Sequence, residues 1–185
     1  MALDASPATT GCYRFKPLAI GEIMQVLHRG GVITVAETAE HEGNDEARLI
    51  ERLNARRPLF LEQLGGSVAG LDRAGGTCTM TFDVSTDFCH SVDIIQGGFV
   101  TAMLDAAASH AAFALADDVS AVATLEIKVS FLEPSRAGAY RAVGIINRIG
   151  QSTAFLSGEL YTSDGRLTAM ATTTARLVRK KKEAA

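Results

Sequence analysis

The chain has no tryptophan, and only three cysteines and four prolines among its 185 residues. An odd cysteine count (Cys12, Cys78, Cys89) without metal-ligand spacing favours free thiols in a reducing, cytoplasmic setting. No apolar run approaches the roughly 20 residues that a membrane-spanning helix needs. The N-terminus lacks the basic start and apolar core of a secretory signal. A formal net charge of −3 gives no overall attraction for nucleic acid. Low-complexity tracts and obvious repeats are missing too. What remains, 47% hydrophobic and 21% charged, is the balance of a globular chain with one real core.

Residues 1–56 read as a partly helical N-terminal extension, and 57–185 as the main domain. In the extension, "PLAIGEIMQVL" suits a short helix ended by Gly30-Gly31, and "VITV" a strand. Asn44 looks like an N-cap for "DEARLIERLNAR", whose Ala47, Leu49, Ile50 and Leu53 make an apolar stripe. Pro58 suits the start of a second short helix, which Gly65-Gly66 would end.

From Ser67 the hydrophobic period changes. "SVAGLD", a Gly75-Gly76 turn and "TCTMTFDV" read as a hairpin, with Cys78, Met80, Phe82 and Val84 on one face. A helix-forming run follows Gly97-Gly98 and carries eight alanines from Phe99 to Ala116. "TLEIKVSF" then alternates, with Leu125, Ile127, Val129 and Phe131 inward, and Pro134 closes it. Three more strands, "AYRAVGIINRI", "TAFLSGELYT" and "RLTAMATTTARLV", are separated by turns at Gly150 and Asp164-Gly165. A largely antiparallel sheet has one apolar face to cover, and the long helix is the only element able to cover it. The expected fold is α+β: a curved antiparallel sheet wrapped around one central helix, which is apolar all round and must be enclosed on most sides.

Asp105 is the only formally charged residue from Gly97 to Ala116. Its helical neighbours are Thr101, Ala102, Ala108 and Ser109, with no Lys or Arg one turn away. An ionised carboxylate is costly to bury without a partner, and one held in such surroundings suits a general base or a nucleophile. Backbone N–H groups at Gly97-Gly98 lack intrahelical partners and sit at the positive end of the helix dipole. Glycine also admits a substrate close to the backbone, which suits an oxyanion hole. Gly97 and Asp105 are eight positions apart, about 12 Å along a helix. One carbonyl cannot easily touch both, so joint action requires two chains with their helices antiparallel across a homodimer interface.

These residues carry a family resemblance. The segment "HSVDIIQGGFVTAMLD", the following "TLEIKVSFLEP" and the late "SDGRLTAMATTTARLV" resemble the hotdog-fold acyl-CoA thioesterases of the PaaI-like, phenylacetate-pathway group, over about residues 58–178. The resemblance implies a catalytic role for Gly97 as oxyanion donor, for Asp105 as the carboxylate and for Ser109 as a hydroxyl holding water. It implies substrate-binding roles for His90, Gln96, Gly98 and Thr124. Three positions depart from the family pattern: Gln96 replaces a common His, His90 a common Asn, and Asp93 a common glycine. Glutamine still donates to a thioester oxygen but does not titrate near neutrality. Aspartate tolerates left-handed backbone better than most residues.

Other candidates are weaker. His110 falls five positions after Asp105 and points elsewhere. Cys89 and His90 are adjacent, and in extended chain adjacent side chains take opposite faces. Arg148 and the tail "RLVRKKKEAA" suit a coenzyme A phosphate in charge alone. The expected activity is hydrolysis of an acyl-CoA thioester in a homodimer or dimer of dimers, with no metal, no cofactor beyond the CoA of the substrate, no nucleic acid and no membrane. The alternatives are a non-catalytic acyl-CoA-binding sensor, motivated by His90 and Gln96, and a dehydratase or hydratase, which would need an Asp-His pair.

Overall fold

The structure, a computed structural model, describes residues 35–116 and 118–180. The helix expected in "PLAIGEIMQVL" lies outside the described residues, as does the "VITV" strand up to Thr34. Every element around the site belongs to the compact unit 41–185.

Helix α1 spans Val35–Ala55, so Asn44 lies within a helix rather than capping one. Strong helix formers such as Glu37, Ala39 and Glu40 outweigh the cost of about 1 kcal/mol for one interior glycine, Gly43. Three of the four residues of the expected stripe face the core, Leu49 buried and Ile50 and Leu53 packed against the buried cluster, while Ala47 is exposed. Helix α2 (Leu59–Gln63) starts after Pro58 and ends where Gly65 takes a φ of 64°.

Six strands follow: β1 (Ser67–Asp72), β2 (Thr77–Val84), β3 (Val119–Phe131), β4 (Gly138–Ile149), β5 (Thr153–Thr162) and β6 (Leu167–Arg179). They form one curved antiparallel sheet in the order β1-β2-β4-β5-β6-β3. Helix α3 (Gly97–Leu115) lies between β2 and β3 in sequence and packs against every strand from β2 to β6.

The helix sits in a trough that the sheet itself supplies. Cys78, Gly144, Gly158, Ala171 and Val129 are successive cross-strand partners, a row of small side chains from β2 to β3. A Cβ on Gly144 would overlap the Ala107 carbonyl oxygen, and one on Gly158 would lie 3.0 Å from that of Leu104. The alanines of α3 bring the helix close, and this glycine pair brings it closer.

The two sheet edges differ. At β1 the Asn54 side chain accepts from the Val68 N–H (2.8 Å) and donates to the Val68 carbonyl (2.9 Å). Those bonds act as a short piece of neighbouring strand. The other edge, β3, is uncovered, with Leu125 64% and Phe131 55% exposed.

A bulge corrects the expected inward face of β3. Thr124 pairs with Ala175 and Glu126 with Thr174, so Leu125 is the extra, unpaired residue. Ile127, Val129 and Phe131 share the inner face with Thr173, Ala171 and Ala169, as alternation predicts. Before the bulge the phase flips, and Thr124 rather than Leu125 faces α3.

Candidate active site

Helix α3 is buried along most of its length, but Thr101, Ala102, Asp105 and Ser109 are only half-buried. They lie on the strip that the sheet leaves open. Asp105 is therefore not sealed inside one chain. The Thr124 hydroxyl donates to its Oδ1 at 2.7 Å. The other carboxylate oxygen has no hydrogen-bond partner among the described residues. The bulge at Leu125 makes that contact possible, because regular alternation would aim Thr124 at the outer face. Ser109, one turn further on, makes no side-chain hydrogen bond among the described residues.

At the start of α3 two donors have different fates. The Gln96 side-chain oxygen accepts from the Gly98 N–H at 2.5 Å, which makes Gln96 the N-cap. That bond fixes the amide group with its NH2 end available as a donor. Among the described residues no acceptor takes the Gly97 N–H. Thr101 donates back to the Gly97 carbonyl at 2.8 Å and tightens the first turn.

Gly97 also lines a cavity of about 430 Å³ at this end of the helix, together with His90, Val100, Phe131, Glu133 and Ser135. The loop before the helix is held by short backbone bonds, from Gln96 N–H to Phe88 and from Ile95 N–H to Ser135. Asp93 is half-buried and bound to Arg136 at 2.6 Å. No described non-glycine residue has a positive φ, so the left-handed backbone expected at Asp93 is not adopted. An ion pair between two loops takes the place of a turn requirement.

The seven residues thus form two groups on one helix. Asp105 and Thr124 meet at its middle, while Gly97, Gly98, Gln96 and His90 gather at its N-terminal end; Ser109 stands one turn beyond Asp105. Gly97 and Asp105 ride on one unbroken helix, so the spacing of about 12 Å between them holds. His110 points away: its Nδ1 is 2.8 Å from the Ala106 carbonyl and its ring packs edge-on against Phe113. Burial pulls its pKa below the usual value, against the opposing pull of the Ala106 hydrogen bond. Burial under the helix pushes the Cys78 thiol up to about 12, so it is not a nucleophile near neutrality. Cys89 packs against the core while the adjacent His90 is exposed, as opposite faces require.

Sequence reasoning missed the glycine trough, the bulge at Leu125 and the Gln96 cap. Two glycines inside otherwise regular strands were a readable sign of close backbone approach. The bulge left no local signal, since "TLEIKVSF" alternates without a break.

A six-stranded antiparallel sheet curved around one alanine-rich helix, with an acid on the helix's open strip, is the hotdog fold of thioesterases. The thioesterase superfamily model matches residues 93–169, which run from the loop before α3 into β6. A phenylacetic acid degradation-related protein from Ralstonia eutropha JMP134 shares 32% identity over 70% of this chain and 97% of its own, with a TM-score of 0.64. The chain belongs to the thioesterase superfamily. The PaaI protein of the E. coli phenylacetic acid degradation operon has the same fold at 17% identity (TM-score 0.62, covering 75% of this chain and 94% of that one). A Saccharolobus solfataricus protein designated an esterase is 25% identical over 127 residues, 69% of this chain and 89% of its own length. Among the described residues no helix is long and apolar enough to cross a membrane.

Proposed function

We propose that the protein hydrolyses an acyl-CoA thioester to the free acid and CoA, at sites that each combine Gly97 of one copy with Asp105 of another. The observation that carries this reading is the Asp105 carboxylate itself. It is half-buried on the open strip of α3, with one oxygen anchored by Thr124 and the other unused. Thr124 fixes the carboxylate's orientation and leaves a lone pair free for a proton or a carbonyl carbon. The Gly97 N–H, without an acceptor among the described residues at the positive end of a 19-residue helix, supports the role of oxyanion donor. The free NH2 end of Gln96 stands beside it as a second donor to the thioester oxygen.

The thioester carbonyl accepts from Gly97, and negative charge builds on its oxygen as the carbon is attacked. Asp105 of the second copy either attacks the carbonyl carbon, giving a mixed anhydride that water then hydrolyses, or removes a proton from a water held with Ser109. In both routes the C–S bond breaks and CoA leaves as the thiol. A second copy is required by the 12 Å spacing, and the uncovered 13-residue edge of β3 beside Thr124 supports a further chain at this side. The reading calls for no metal or redox cofactor, and for a cytoplasmic homodimer or dimer of dimers.

The test is thiol release over aromatic and aliphatic acyl-CoAs. Asp105→Asn should keep its circular dichroism spectrum and lose at least about a hundredfold in rate. Activity within a few-fold of the unaltered protein would remove Asp105 from the mechanism. Tight acyl-CoA binding with no thiol release by the unaltered protein would favour a binding protein instead.

A further inference from the structure

We propose that the cavity at the N-terminal end of α3 receives the acyl group, and that the Phe131 ring limits the size of acyl group accepted. This rests on the thioester-hydrolase reading and narrows its substrate class to apolar acyl groups of ring size or medium length.

The cavity selects for an apolar occupant. Its walls are Ile94, Val100, Phe131, Leu132 and Pro134. The polar side chains in its lining are engaged elsewhere, apart from His90. The Glu133 carboxylate is held by Arg166 at 3.0 Å, and the Ser135 hydroxyl donates to Thr168 at 3.2 Å. No unpaired cation in the lining awaits a phosphate, so the nucleotide end of the substrate has nothing to bind here. The volume, about 430 Å³, is nearly three times that of an apolar cavity of about 150 Å³ that accepts benzene. A ring or a medium chain fits with room to turn.

Phe131 is placed to set that limit. It is the last inner-face residue of β3, paired with Ala169, and its ring overhangs the helix end. The ring atom Cζ lies 3.2 Å from the position a Cβ would take on Gly97. The wall of the cavity and the Gly97 N–H are therefore neighbours. A carbonyl held about 3 Å from that N–H starts its acyl chain alongside the ring. Ile127 and Val129, on the same face, are half-buried toward the core, whereas Phe131 stands in the lining of the cavity.

The experiment compares kcat/KM for straight-chain acyl-CoAs from acetyl to palmitoyl, and for benzoyl-CoA, in the unaltered protein, Phe131→Ala and Phe131→Leu. Calorimetric binding of the same series to Asp105→Asn, with and without Phe131→Ala, gives a readout independent of turnover. The unaltered protein should prefer ring-sized and medium acyl groups. Phe131→Ala should move the preference toward longer chains by at least about tenfold in the ratio of kcat/KM, with a matching shift in binding. Phe131→Leu should fall between, and it decides the matter if Phe131→Ala fails to fold. Hydrolysis with the same chain-length profile in both variants would overturn this inference alone. No hydrolysis of any member by the unaltered protein would overturn the reading beneath it.

Discussion

Two glycine pairs sit within this fold, and they are glycines for different reasons. Gly144 and Gly158 face each other across β4 and β5, directly beneath α3. Gly97 and Gly98 open the same helix. Beneath the helix, the atoms that a Cβ would strike are backbone carbonyls, which cannot move without the helix. At the helix start they are the ends of two side chains, the Phe131 ring (3.2 Å) and the Gln96 oxygen that caps the helix (2.7 Å), and a side chain can shift where a helix carbonyl cannot. The first pair is required by packing. The second is spared from packing, and its freedom is left for a ligand. A glycine's role is thus read from what its missing side chain would hit.

The contrast can be broken in order of expected effect. Gly144→Ala forces a methyl group into the Ala107 carbonyl and should cost more than the ~3 kcal/mol usual for core overpacking. Thermal melting should show a large drop or no folded protein, and a melting temperature within a few degrees of the parent would mean that the trough is slack. Gly97→Pro should do the reverse. The first helical position accepts proline, and Gln96 already has the extended backbone that precedes one (φ −63°, ψ 134°). The N–H is lost and the proline ring meets the edge of Phe131, a side chain that can shift, so melting should fall far less than for Gly144→Ala while thiol release falls by about 10²–10³. Unchanged turnover would take Gly97 out of the oxyanion role. Thr124→Val is the mildest, because shape and strand propensity stay and one hydrogen bond to Asp105 goes. A loss near tenfold in kcat, with KM little altered, is expected from a bond worth ~1–2 kcal/mol. An equal rise in KM alone would move Thr124 from orienting the carboxylate to holding substrate.

Much of this was legible in the sequence, and for a physical reason. Period-2 alternation in "TCTMTFDV" follows from one buried face, and β2 spans the residues so read, Thr77–Val84. A lone carboxylate among alanines marked Asp105 without any coordinates. What stayed hidden depended on register and on neighbours far away in sequence. β3 begins at Val119, five residues before the alternating stretch, because β6 is long enough to pair with it there. Leu125 looked like a core residue until the bulge turned it outward and brought Thr124 to the acid. Gln96 looked like a substrate donor, and its oxygen turned out to cap the helix. Phe131 looked like ordinary core until its ring was seen against Gly97.

The central claim is that each active site takes its donor from one copy and its carboxylate from another. Mixing Gly97→Pro with Asp105→Asn, each inactive alone, tests it most directly after dissociation and reassembly. In a twofold dimer the mixed species carries one site with both native residues, so random mixing should restore about a quarter of the unaltered activity. A mixture no more active than the average of the two separate variants would show that both residues act within one chain, and would contradict the account.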